Sequence, residues 1–113
     1  MNYNIETTDS FERKFKRLFK KYRSLKSDML AFIKELRENP TMGDDLGNGI
    51  RKIRMAITSK GKGKSGGARV ITFDVLTDVE NTEIHLLTIY DKNEQQSISK
   101  QEIAQLKAIN ELP

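Results

Sequence analysis

The apolar residues of this chain change their period once, and that change limits the folds open to it. Phe11, Phe15, Leu18, Phe19, Tyr22 and Leu25 recur at helical spacing, and Met29, Phe32, Ile33 and Leu36 continue the pattern. From Ile50 onward the period drops to two. Ile53, Met55 and Ile57 fall on one side of a strand, with Lys52 and Arg54 on the other. Residues 69–76 are β-branched and aromatic. Residues 83–90 are largely apolar, which predicts a strand near the centre of a sheet. A block of helices followed by a run of strands predicts an α+β fold.

Punctuation residues set the element boundaries. Residues 2–8 alternate weakly and predict a short first strand. Asp9, with Glu12 three residues on, predicts a helix start by a reciprocal cap. The second helix begins near Ser24 or Ser27 and ends at Asn39-Pro40, because a residue before proline is driven out of the helical region. So short a joint predicts an antiparallel helical hairpin. Residues 41–49, with three glycines, read as a loop, and so do residues 59–67, with four glycines and three lysines. Residues 77–82 form a polar turn. Ser99 and Glu102 repeat the capping spacing ahead of Ile103, Leu106 and Ile109. The expected order is a short strand, a helical hairpin, a three-stranded antiparallel meander and a C-terminal helix. It is expected to form one domain over residues 1–113, with the helices on one sheet face and the other face free.

Composition narrows the chemistry. There is no cysteine, so no thiolate nucleophile and no cysteine-ligated metal; the single histidine, His85, excludes a histidine cluster. His85 lies between Ile84 and Leu86 and reads as structural. Neither cofactor nor metal is expected. No apolar run approaches the roughly 18 residues of a membrane helix, and residues 1–10 lack the pattern of a signal peptide. The expectation is a soluble cytoplasmic protein without membrane association. Net charge is +4, with 17 basic and 8 acidic residues in positions 1–69 but 3 basic and 8 acidic in positions 70–113. That split reads either as a surface for a polyanionic partner or as a solvated charged surface.

The densest cationic segment spans residues 51–69, with seven basic residues and no acid. It is not a nucleotide-phosphate loop, which requires a fixed Gly-Lys spacing leading into a helix; Gly63-Lys64-Ser65 leads into a strand. Taken alone, the lysine–glycine loop reads equally as a flexible hairpin tip or as a nucleic-acid contact. Residues 13–26 hold eight basic residues and no acid, which favours RNA contact over a merely solvated face. Asp74, Asp78, Glu80 and Glu83 surround a turn and read as charges that block edge pairing.

The run GIRKIRMAITSKGKGKSGGARVI, followed by LLTIYDKNE and a C-terminal helix, resembles the HigB-type branch of the RelE toxin superfamily. The NP…G after the second helix and the element order share in the resemblance, which covers roughly residues 11–106. It implies a RelE-like fold and a bacterial toxin of a type II toxin–antitoxin module. The activity it implies is ribosome-dependent mRNA endonuclease (mRNA interferase) action in the ribosomal A site, by metal-independent attack of the 2′-hydroxyl on the adjacent phosphorus. The implied partners are mRNA, the ribosome and a cognate antitoxin of helix-turn-helix type. At matching positions Arg69 stabilises the phosphorane, Lys92 lies near the leaving oxygen, and Tyr90 stacks on a base or orients the nucleophile. Lys52 and Arg54 compete with Lys60, Lys62 and Lys64 for the cluster that supplies the base; the glycines beside Lys62 favour it. Arg51, Lys52, Lys60 and Lys64, with Arg17, Lys20 and Lys21 of the first helix, are the implied RNA-binding residues. Family members that cleave with histidines near the C-terminal end differ, since His85 lies inside a strand. Two other readings compete: a ParE-like inhibitor of DNA gyrase, and an RNA-binding relative without catalysis.

Overall fold

A computed structural model describes residues 2–113. The chain runs β1 (Asn2–Thr7), α1 (Asp9–Lys21), α2 (Leu25–Glu38), β2 (Asp44–Gly47), β3 (Ile50–Met55), a single 3-10 turn (Thr58–Lys60), β4 (Ala68–Leu76), β5 (Asn81–Asp91) and α3 (Lys100–Ile109). The strands form one mixed sheet in the order β1-β5-β4-β3-β2. The expected meander is present as antiparallel β3-β4-β5, and β1 joins it parallel to β5.

Four expectations need correction. Residues 41–49 are not wholly a loop, because β2 pairs antiparallel with β3. Asn48 and Gly49 have φ of 54° and 81°, the left-handed pair that a tight hairpin turn demands. Every β2 side chain is exposed, so no alternation marked the strand. At the start of α1 the cap is Thr8, not Asp9. Its hydroxyl accepts from the Phe11 N–H at 3.1 Å and donates to the Leu86 carbonyl at 2.8 Å, which a carboxylate could not do. At the other end of the same helix-rich segment, α2 starts after Ser24 without a side-chain cap.

The fourth correction concerns the layers. α1 and α2 do share one face: Phe11, Leu18, Leu25, Phe32 and Leu36 bury against Ile53, Met55, Val70, Ile84, Leu86 and Ile89. α3 covers part of the opposite face, where Ile103 packs with Ile50, Ile71, Phe73, Leu87 and Tyr90. The second face is therefore not free. β5 is apolar on both sides, and each side requires its own cover. An irregularity in β5 contributes: Ile71 pairs with Thr88 but Thr72 with Leu86, leaving Leu87 unpaired and turned into the second cluster. The Ser99–Glu102 capping box starts α3 as its spacing required.

One buried carboxylate ties the layers together at the end of the sheet. Asp91 is 0% exposed. It accepts from Lys60 Nζ at 2.7 Å, from the Asn93 backbone N–H at 3.0 Å and from the Tyr22 hydroxyl. Burial pushes its pKa up, but the bonds from Lys60, Tyr22 and Asn93 outweigh that, and the carboxyl sits below its ordinary range. The Lys60 side chain is only 6% exposed. Replacing one member of a buried pair strands the other charge, at a cost of about 3–5 kcal/mol. Asp91→Asn should lose about that much in urea denaturation, and Lys60→Met added to it should recover much of the loss. Because the folded pKa is depressed, the Asp91 contribution is fully present above the unfolded value of about 3.9 and is lost as pH falls through the lower folded value. The urea midpoint of the parent protein should accordingly drop more steeply than that of Asp91→Asn below about pH 4.

Candidate active site

The sheet register sets three candidate side chains in one row. Arg54 on β3 lies opposite Arg69 on β4, and Arg69 lies opposite Tyr90 on β5. Tyr90 belongs to the cluster under α3, so the row stands on the α3 face, beyond the part of that face the helix covers. Lys52 stands one row away, across from Ile71. Lys92 follows directly on the end of β5, where its backbone N–H donates to the Gly67 carbonyl at 3.1 Å. Glycine is required at 67: a Cβ there would lie 2.2 Å from the Met55 carbonyl oxygen. That close passage returns the basic loop to the sheet one residue before Arg69.

Arg69 is 5% exposed. Its guanidinium donates to the carbonyls of Lys64, Ala68 and Ser65, each at 3.1 Å. The residue thus holds its own loop in place, with its Nε–H left without a partner among the described residues. Beside it, the Tyr90 hydroxyl is buried and unpartnered among the described residues. Burial raises the pKa of that phenol; the Arg69 charge opposes the rise and Glu102 of α3 adds to it. An orphaned phenol beside a guanidinium is a polar pair with no structural purpose of its own.

The basic loop divides its three lysines among three environments. Lys60 departs from the RNA-binding expectation, since its ammonium is buried against Asp91. Lys64 pairs with Glu35 of α2 at 2.9 Å. Lys62 is exposed and its ammonium has no partner among the described residues. Arg51 also departs from its expected role. It donates to the Thr41 carbonyl at 3.0 Å and bridges Asp74 at 3.8 Å and Asp45 at 3.9 Å. On α1, Arg17 and Lys21 both bind Glu94, at 3.0 and 3.1 Å. Hydrogen bonding from Lys21, then from Arg17, holds the Glu94 carboxyl below its ordinary range against a smaller effect of burial. Lys20, between them, is exposed. These α1 residues lie on the sheet face opposite the Arg54–Arg69–Tyr90 row. His85 is set apart from the row, with Nε2 3.1 Å from Glu83.

Sequence reasoning passed over Asp91, Tyr22 and Glu102. A lone carboxylate at the end of an apolar strand carries no pattern, and Tyr22 looked like one more residue of an apolar stripe. The row itself was within reach, since Arg54, Arg69 and Tyr90 each came from a strand whose period was clear. Among the described residues, no helix is long and apolar enough to cross a membrane. Residues 11–112 match the family described as the RelE toxin of the RelE/RelB toxin–antitoxin system. With that match spanning α1 through α3, and the fold being the α+β arrangement of three helices on a five-stranded mixed sheet, the chain belongs to the RelE toxin family.

Proposed function

We propose that this toxin is a ribosome-dependent mRNA endonuclease of the HigB-type branch, a cytoplasmic bacterial protein that cuts A-site mRNA without a metal. The observation that carries the reading is the Arg54–Arg69–Tyr90 row, flanked by Lys52, Lys62 and Lys92 and left open beside α3. Scission by the substrate's own 2′-hydroxyl needs an acceptor for its proton, cationic donors for the phosphorane and an acid for the leaving oxygen. In this reading the 2′-oxygen bonds to phosphorus as the P–O5′ bond breaks. The 2′-proton passes to Lys62 Nζ, and Lys92 protonates the departing 5′-oxygen, giving a 2′,3′-cyclic phosphate and a 5′-hydroxyl. Lys62 is favoured as the base because Lys60 and Lys64 are committed to Asp91 and Glu35. Arg69 meets the phosphorane oxygens with the part of its fork not spent on the loop, and Arg54 adds charge from the adjoining strand. Tyr90 offers its unpartnered hydroxyl to the same group. A cognate antitoxin, of helix-turn-helix type in this reading, neutralises the toxin.

The competing gyrase-inhibitor reading gives no use to an unpartnered phenol beside Arg69. The deciding measurement is mapping of 5′-hydroxyl transcript ends after brief induction. New ends within translated frames are expected, and growth arrest without them would overturn the nuclease reading. Arg69→Ala should lower cleavage about 100-fold to 1000-fold, the usual cost of losing a transition-state donor. Arg69 also staples residues 64 and 65, so Arg69→Lys belongs beside it, to separate lost chemistry from a loosened loop. Tyr90→Phe should move two quantities in opposite directions. Removing a buried unpaired hydroxyl should raise stability by up to about 1 kcal/mol, while the rate of cleavage should fall. A variant that is more stable and equally active would take Tyr90 out of the site.

A further inference from the structure

The largest groove in the molecule is not at the Arg69 row but between α1 and α2, on the far side of the sheet. Its floor is hydrocarbon. Phe11, Phe15 and Phe19 stand at successive helical turns of α1, with ring centroids 6.1 and 6.2 Å apart, and Met29 of α2 faces them. Phe19 remains 41% exposed, an unusual position for a phenylalanine in a stripe that elsewhere builds core. Arg13, Lys16 and Lys26 rim the groove, and none of them has an ion-pair partner among the described residues, unlike their neighbours Arg17 and Lys21. Asp9 and Glu12 mark one end.

We infer that this groove receives an amphipathic helix of the cognate antitoxin, with apolar residues on its seated face and acidic residues along its flanks. Three neighbouring turns of α1 make a floor about 12 Å long at 1.5 Å per residue, which two turns of a guest helix would cover. Apolar anchors at i, i+4 and i+7 would bury against the phenylalanines, and acidic flanks would meet the unpaired rim cations. The charge pattern speaks against the other occupants. A second copy of this chain would bring the same cations face to face across a twofold axis. A nucleobase would bury its polar edges on a floor that offers almost no hydrogen-bond partner. The concave shape and the acids at one end do not suit a lipid surface. The inference rests on membership in a toxin–antitoxin family and not on the nuclease reading.

The test uses the intact chain and the antitoxin encoded beside it, with affinity measured by calorimetry. Phe19→Asp places a charge on the floor at an already exposed position. Lys16→Glu with Lys26→Glu reverses the rim and leaves the floor intact. Each should weaken antitoxin binding at least tenfold while thermal unfolding stays at the parent value. Expressed alone, each should arrest growth as the parent does, and the antitoxin should no longer rescue it. Unchanged antitoxin affinity in both folded variants would overturn the inference. So would unchanged affinity accompanied by weaker binding to ribosomes or to anionic lipid vesicles, which would give the groove another occupant. Neither readout requires mRNA cleavage, so a failure here is distinguishable from a failure of the endonuclease reading.

Discussion

The arrangement at the end of the sheet depends on a buried carboxylate that would be costly to leave alone. Asp91 gathers Tyr22 from the end of α1, Lys60 from the turn before the basic loop and Asn93 from the turn after β5. These three segments are otherwise held by backbone hydrogen bonds at the rim of the core. A charge taken fully out of water must be compensated on every side, so Asp91 fixes where each segment sits. An apolar residue in its place could pack equally well, but it would not choose among the nearby arrangements of a glycine-rich loop. Lys92 and Arg69, which carry the proposed chemistry, are adjacent in space to this hub through the Ala68–Asp91 pair and the Lys92–Gly67 bond.

Across the sheet from that hub, on the α3 face, stability and reactivity pull apart. Arg69 directs most of its donors at its own loop, and Tyr90 keeps a buried hydroxyl without a partner. A core selected for stability alone would put phenylalanine at 90 and a smaller residue at 69. Retaining an unsatisfied phenol next to a guanidinium is the kind of local inconsistency expected where a ligand completes the hydrogen bonding. α3 covers Ile71, Phe73 and Leu87 but leaves the row itself at its margin, which keeps the second face half covered and half open.

The elements that sequence made legible are those in which burial imposes a period. α1 and β3 to β5 followed directly from Phe11 to Leu25, from Ile53 to Ile57 and from the apolar run of β5. The strand β2 was invisible because all of its side chains face solvent and only the turn residues Asn48 and Gly49 marked it. The placement of α3 was missed although β5 advertised two apolar faces. The expectation counted helices by their position in the chain and did not ask which side of β5 remained uncovered. At the candidate site, residues on strands could be placed by register, whereas Lys60, Lys62 and Lys64 could not be separated by sequence. Their distinction lies in remote acids, Asp91 and Glu35, and no local pattern announces a pairing across 30 residues.

Those pairings also account for the charge asymmetry of the chain. A basic first part followed by an acidic remainder seemed to call for a polyanion or for solvent. Part of the asymmetry is internal. Glu94 serves Arg17 and Lys21, Asp91 serves Lys60, and Asp74 serves Arg51. The exposed pairs among these add little stability, but they remove cations from the surface selectively. What remains unpaired falls into two groups on opposite sheet faces. Lys52, Arg54, Lys62 and Lys92 surround the Arg69 row, and Arg13, Lys16 and Lys26 ring the aromatic groove. A phosphate backbone is attracted by cations over polar ground, and an acidic helix by cations around hydrocarbon. The same excess of lysine and arginine therefore specifies two different partners, because the floor beneath the charges differs.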